Sequence, residues 1–175
     1  MAEIPFEALL LGLETTAGTG VEPTHYANMT GTLKPMVERY RPDEARGTLV
    51  EAYRSKIVRQ WSEWSGEGPL DVYILPVLLN MAATGNMTGQ PTTPGGATNS
   101  RLWTFTPAIT TNDLKTGTLF WGDRSVQMWE ANFATIDELT ITADASSTDG
   151  TMISVSGHAQ FQEYETFSVT GISKA

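Results

Sequence analysis

Between Leu139 and Phe161 apolar and polar residues alternate with a period of two. Leu139, Ile141 and Ala143 share one face. Beyond a Ser-Thr-Asp-Gly stretch, so do Ile153, Val155, Gly157, Ala159 and Phe161. Such alternation predicts strands with one dry and one wet face, and Asp149-Gly150 suits the turn between them. The wet face of this hairpin carries Ser154, Ser156, His158 and Gln160. "RLWTFTP" alternates in the same way and predicts another strand, and "TFSVTG" a last one. "TGTLFWGDRSVQMWEANF" predicts a hairpin around Gly122-Asp123. "TLKPMVERY" predicts a short edge strand, because Pro35 would interrupt a central ladder. "RPDEARG" is a turn. "TLVEAYRSKIVRQWSEWSG" predicts two strands or one long bent strand, with Trp61 and Trp64 on opposite faces.

One stretch has helical spacing. In "GPLDVYILPVLLNMAATGN", Leu75, Leu78, Leu79 and Ala82 fall at i, i+3, i+4 and i+7, predicting a helix over about 71–84. Asp71 could cap it and Gly85 stop it. Pro76 requires either a start near itself or a kinked first turn. Two segments lack a period. "GLETTAGTGVEPTHYANMTG" is rich in Gly and Thr, and residues 1–30 are expected to form an extended arm. "NMTGQPTTPGGATNS" is expected to be a long polar loop over about 85–100. Both segments are expected to order on assembly. Residues 31–175 then form one domain. Its fold class is mainly β: an antiparallel sandwich or barrel with one flanking helix and long loops.

Composition narrows the function. A chain of 175 residues can bury roughly 70% of its unfolded surface, so a real core is available. No apolar run reaches membrane-spanning length, and the N-terminus lacks the basic start of a signal peptide. There is no cysteine, which removes disulfides and thiolate metal sites. The net charge of -9 argues against tight nucleic-acid binding. The charge is also uneven. Residues 34–63 are net basic, whereas 1–33 contain acids without Lys or Arg, and 130–175 hold seven acids and one base. That asymmetry favours head-to-tail association if the regions sit at opposite ends.

No catalytic constellation stands out. His25 lies in the arm-like segment and His158 on a polar strand face, and both read as ordinary histidines rather than a metal pair. Adjacent carboxylates, Asp137-Glu138 and Asp43-Glu44, should face opposite sides of a strand and so form no acid/base dyad. "TAGTGVE" lacks the Lys and helix of a phosphate loop, and "DASSTDG" reads as a turn rather than a calcium loop. The expectation is no enzyme, no cofactor and no metal.

The Gly/Thr-rich opening "GLETTAGTGVEPTHY", the "YILPVLL" helix start, the "WTFTP" strand and the closing hairpin occur in this order. Over Gly12 to Phe161 the chain thereby resembles the major tail tube protein of long-tailed bacteriophages. The resemblance implies a virion protein, made in the bacterial cytoplasm, that forms rings stacked into a hollow tube for DNA. A single domain of this size implies six-fold rather than trimeric rings. Implied partners are further copies, tape measure, terminator and distal tail proteins, and DNA in passage, with no membrane binding. Glu130, Asp137 and Glu138, with Ser154, Ser156, His158 and Gln160, are expected on a lumen or solvent face. Inter-subunit and inter-ring contacts are expected from Thr15, Thr19, Val21, His25, Tyr26, Arg39, Arg41, Arg46, Asn86, Thr88 and Pro94. Two rivals remain: another virion part (tail terminator, head decoration or gene-transfer-agent tube), and a carbohydrate-binding sandwich using Trp61, Trp64, Trp103, Trp121 and Trp129.

Overall fold

A computed structural model describes residues 7–41, 55–83, 85–92, 102–107, 115–123, 127–144 and 150–165. Its strands are β1 (Glu7–Leu13), β2 (His25–Ala27), β3 (Thr30–Tyr40), β4 (Lys56–Pro69), β5 (Gly85–Thr92), β6 (Leu102–Pro107), β7 (Gly117–Asp123), β8 (Gln127–Ala143), β9 (Thr151–Ala159) and β10 (Glu163–Glu165), with one helix, α1 (Leu75–Ala82), between β4 and β5. Pairing is antiparallel throughout, in the order β2-β1-β7-β8-β9-β4-β3, and β10 lies beside β8. β5 and β6 form a separate two-stranded ribbon.

β8 is long enough to serve two half-sheets. Its first part pairs β7 and β10, and its second part, from Thr135 to Ala143, pairs β9. The first half-sheet is therefore β2-β1-β7-β8-β10 and the second is β8-β9-β4-β3. Leu9 and Leu11 of the first, Trp64, Ile153 and Val155 of the second, and Ile74, Val77, Leu78 and Met81 around the helix share one core. The mainly antiparallel β class with a single flanking helix is what the alternation predicts.

The closing hairpin follows its alternation on β9 only: on β8 Leu139 is partly buried, but Ile141, 45% exposed, and Ala143 lie in solvent, against the dry face expected of them. Ile153, Val155, Gly157 and Ala159 are buried while Ser154 and His158 are exposed. Gly157 is required by packing: a Cβ there would meet the Trp64 indole nitrogen at 2.9 Å and collide with the Thr135 carbonyl. Those two groups are hydrogen-bonded to each other, Trp64 Nε1 donating at 3.0 Å. β3 is an edge strand with Pro35, as expected, although it is eleven residues long. β4 is one long strand, with Trp64 buried and Trp61 on the opposite face under Arg59.

Four expectations change. The arm expected over 1–30 is partly sheet: β1 lies between β2 and β7, with Ala8 to Leu11 buried. Burial on both faces removes the alternation that would have announced a strand. The loop expected over 85–100 begins as β5, paired with β6, because its β-branched threonines tolerate extended backbone; 93–101 lie outside the described residues. The helix starts at Leu75 with Pro76 in its first turn, where a missing N–H costs nothing. Asp71 shapes the turn before it, accepting from Tyr73 N–H at 2.9 Å. Ile74, Pro76, Val77, Leu78, Asn80 and Met81 are buried, Leu75 and Leu79 only partly, and Ala82 is exposed. An apolar run such as "ILPVLLNMA" does not choose its own buried face. The hairpin strands β7 and β8 pair as far as Asp123 and Gln127, so their turn falls beyond Gly122-Asp123. "RPDEARG" beyond Arg41, Asp149 and "TFSVTG" lie outside the described residues.

A buried carboxylate holds the corner where the half-sheets meet. Opposite Thr118, β8 carries Asn132 and Phe133, a bulge that gives Phe133 a φ of 54°. Glu14 Oε1 accepts from Phe133 N–H at 2.8 Å and from the Thr118 hydroxyl at 3.1 Å. Oε2 accepts from the Thr116 hydroxyl and from Gly18 N–H, both at 2.6 Å.

Two stability outcomes follow. Glu14→Gln turns an amide NH2 toward donors and loses charge-assisted bonds, so chemical denaturation should show a loss of about 2 kcal/mol or more. Gly157→Ala should cost about 1–3 kcal/mol through overpacking, and an unchanged denaturation midpoint would contradict the Trp64 contact.

Candidate functional site

The polar positions of the second half-sheet form rows. Thr32, Ser65, Ser156 and Glu138 are consecutive across β3, β4, β9 and β8, and so are Lys34, Glu63, His158 and Thr135, and Thr30, Glu67, Ser154 and Thr140. Paired residues share a face, and residues two apart on a strand share it too. The result is one hydroxyl-rich surface. Thr32 and Ser65 hydroxyls bond at 3.1 Å, Thr30 Oγ1 donates to the Glu67 carbonyl at 3.1 Å, and Thr135 Oγ1 to the His158 carbonyl at 3.2 Å. A shallow depression of about 330 Å³ crosses the middle rows. Lys34 faces Glu63, Glu67, Asp137 and Glu138 on this surface, so it is net acidic.

The bulge between Ile136 and Glu138 alters the expected orientation of the two neighbouring carboxylates. An extra residue in β8 lets both reach the polar face. Asp137 bonds His158 Nδ1, and Glu138 lies opposite Ser156 and accepts from Thr140 at 3.5 Å. Glu130 is elsewhere, opposite Glu163 on the first half-sheet, beside Gly20. Gln160 follows the end of β9, its N–H donating to the Asn132 carbonyl at 2.8 Å. Among the described residues no group of three or more His, Asp or Glu is arranged to hold a metal ion. No described helix is long and apolar enough to cross a membrane.

Among the described residues both margins of this surface are open. β3 ends the sheet, and β8 beyond Ala134 has no described strand on the side away from β9. Arg39 and Arg41 are exposed at the β3 margin, Asp137 and Glu138 at the β8 margin. Unpaired N–H and C=O rows are templates for another chain.

The remaining expected contact residues are dispersed. Thr15 and Thr19 are exposed on the loop after Glu14, and Val21 N–H donates to Thr118 Oγ1 at 3.1 Å. His25 and Tyr26 lie in β2, and Asn86 and Thr88 in β5, opposite Thr106 and Thr104. Arg46 and Pro94 lie outside the described residues. Glu14 was not singled out by its sequence. A lone Glu beside Thr-Thr gives no signal, since three of its four partners are over a hundred residues away.

The architecture so built is an antiparallel β fold with one flanking helix. Across 94% of this chain and 95% of the other, it superposes with a TM-score of 0.52 and 9% identity on a chain from the anti-feeding prophage (AFP) baseplate, determined by cryo-EM with 6-fold symmetrisation. A chain from the PVC sheath-tube complex of an extracellular contractile injection system, in its extended state, gives a TM-score of 0.43 with 13% identity over 95% and 93% of the two chains. No protein-family model and no curated protein matches the sequence.

His25 gives the described surface one titration with a defined sign. Burial lowers its pKa below 6.5, partly opposed by a backbone hydrogen bond to Leu11. The fold therefore holds it neutral while the unfolded chain takes up a proton. Stability is full above pH 6.5 and is lost as the pH falls from there through the folded-state value. His25→Gln should flatten the dependence of the denaturation midpoint between pH 7.5 and 5.5, and equal slopes for both proteins would exclude His25 as its source.

Proposed function

We propose that this chain is a structural component of a phage-type tail, a tube subunit that assembles into stacked rings around a DNA-conducting lumen. One observation carries the reading: a four-stranded half-sheet, polar and acidic on its outer face, with a basic open edge on β3 and an acidic open edge on β8. Joining β3 of one copy to β8 of the next satisfies backbone groups that water would otherwise hold, and pairs Arg39 and Arg41 with Asp137 and Glu138. The two edges differ, so the contact is head-to-tail and closes into a ring when the rotation permits. The hydroxyl-rich face then becomes a continuous inner wall. Its excess of carboxylates repels phosphate, which suits a conduit through which DNA must slide.

Six-fold rings fit a single tube domain, and the AFP baseplate with its 6-fold symmetry offers a precedent for this fold in such an assembly. The exposed loop at Thr15 and Thr19 and the β2 edge at His25 and Tyr26 are the further surfaces for neighbouring copies. Placement in a virion, and contacts with tape measure, terminator and distal tail proteins, belong to the same reading. The match to a baseplate chain also favours a second one, a ring that terminates rather than propagates.

Negative-stain microscopy of purified protein separates these. Tubes of indefinite length are expected; single rings support the terminating role, and a solitary monomer at high concentration overturns both. Sedimentation across salt tests the edge charges, because assembly should weaken from low to high salt. Glu138→Lys should raise the concentration at which particles form, and salt-independent assembly would remove electrostatics from the contact.

A further inference from the structure

The shared core is unfinished at one end. β4 pairs β9 only from Ser62 to Pro69. Beyond Ala159 the chain leaves β4 and continues along β8 as β10. At this fork Gln162 N–H donates to Ser62 Oγ at 2.9 Å, and the buried Gln162 Oε1 has no partner. Past the fork β3 and β4 project as a two-stranded ribbon. Large apolar side chains there stay in solvent: Val37 is 41% exposed, Tyr40 60%, Ile57 43% and Val58 61%. Among the described residues the same ribbon concentrates positive charge, with Arg39, Arg41, Lys56 and Arg59 against Glu38.

The other branch of the fork carries an aromatic row. Leu9, Trp121, Trp129 and Tyr164 are consecutive across β1, β7, β8 and β10 on the core side of the first half-sheet. Leu9 is buried, Trp121 and Trp129 are half-buried, and Tyr164 is 52% exposed. The Trp129 and Tyr164 rings meet edge-on, with centroids 6.1 Å apart. Two residues further along the same face, Glu7 and Asp123 face each other in register. The row is therefore a partly open aromatic surface with an acidic rim.

We propose that this row is the seat for the β3–β4 ribbon of a second copy of this chain. It rests on the self-assembling reading above and names a contact additional to the edge-to-edge joint. Charge selects the occupant: Lys56 and Arg59, which the edge joint does not use, lie on an apolar projection of an otherwise acidic chain, and the aromatic surface is rimmed by carboxylates. Chemistry agrees, since half-exposed Trp and Tyr are the side chains that anchor interfaces. Within one chain the branches leave the fork on different partners and both remain exposed. Ribbon and seat are different surfaces, so the contact propagates from copy to copy instead of closing a two-fold dimer.

The cysteine-free sequence makes the test direct. Val58→Cys and Tyr164→Cys chains, each with a different mass tag, are mixed at assembling concentration under a mild oxidant. Ser154→Cys serves as a control on the polar face, and circular dichroism checks each fold. The expected result is a disulfide between the Val58→Cys and Tyr164→Cys chains that predominates over links to the control. Tyr164→Ala should raise the onset concentration of assembly by about tenfold, the loss expected of one truncated interface aromatic. Particles that assemble without that link, or with an unchanged onset for Tyr164→Ala, overturn the seat while leaving self-assembly intact. A chain that never assembles overturns both.

Discussion

The joint between the half-sheets depends on how the Glu14 carboxylate is buried among hydrogen-bond donors. Glu14 is 7% exposed, and all four groups around its oxygens are donors. Taking a carboxylate out of water is costly unless its lone pairs are satisfied, and here each oxygen receives two hydrogen bonds. The donors come from the loop after β1, from the approach to β7, from β7 itself and from the bulge in β8. One side chain thus fixes four segments at once. It stabilises the bulge that holds Phe133 in an uncommon backbone region, and at that bulge β8 passes from one half-sheet to the other. Without the passage there would be no division into two half-sheets, one of which keeps a free polar face.

The sequence shows some of this and hides the rest for identifiable reasons. β9 is legible because Ile153, Val155, Gly157 and Ala159 are buried on one side only, so burial writes a period of two. β1 is not, because Ala8 to Leu11 are buried on both sides and burial then writes a plain apolar run. The helix is visible as an apolar block, but its facing is decided by β8 and the core rather than by its own residues. The polar face was legible at Ser154, Ser156 and His158. Its continuation onto Thr32, Lys34, Glu63 and Ser65 needed the register of β3 and β4. The bulge at Asp137 breaks the alternation rule and brings together two carboxylates that regular alternation separates. Glu14 was illegible because its partners are gathered by topology alone.

The distribution of charge gains meaning from the same topology. In the linear sequence the basic 34–63 region and the acidic C-terminal third are only composition. In the fold, the first supplies one edge of the polar half-sheet and the projecting ribbon, and the second supplies the opposite edge through Asp137 and Glu138. Surface ion pairs contribute little stability to an isolated chain, so such an arrangement gains little from charge in the monomer itself. In the proposed assembly its effect lies in orientation: unlike edges attract and like edges repel, which favours head-to-tail contact over sheet-to-sheet collapse.

That selection also bears on why the chain tolerates open edges at all. Exposed strand edges are usually blunted, because an unpaired ladder recruits any extended segment. β3 keeps Pro35 and a run of cations, and β8 keeps two adjacent carboxylates and a bulge. Each device weakens pairing with an arbitrary strand, and an edge against its own kind is disfavoured by charge. Opposed to each other, the cations and carboxylates turn from obstacles into matched features. In the proposed assembly, the residues that guard these edges against arbitrary strands are the ones that match them to a second copy.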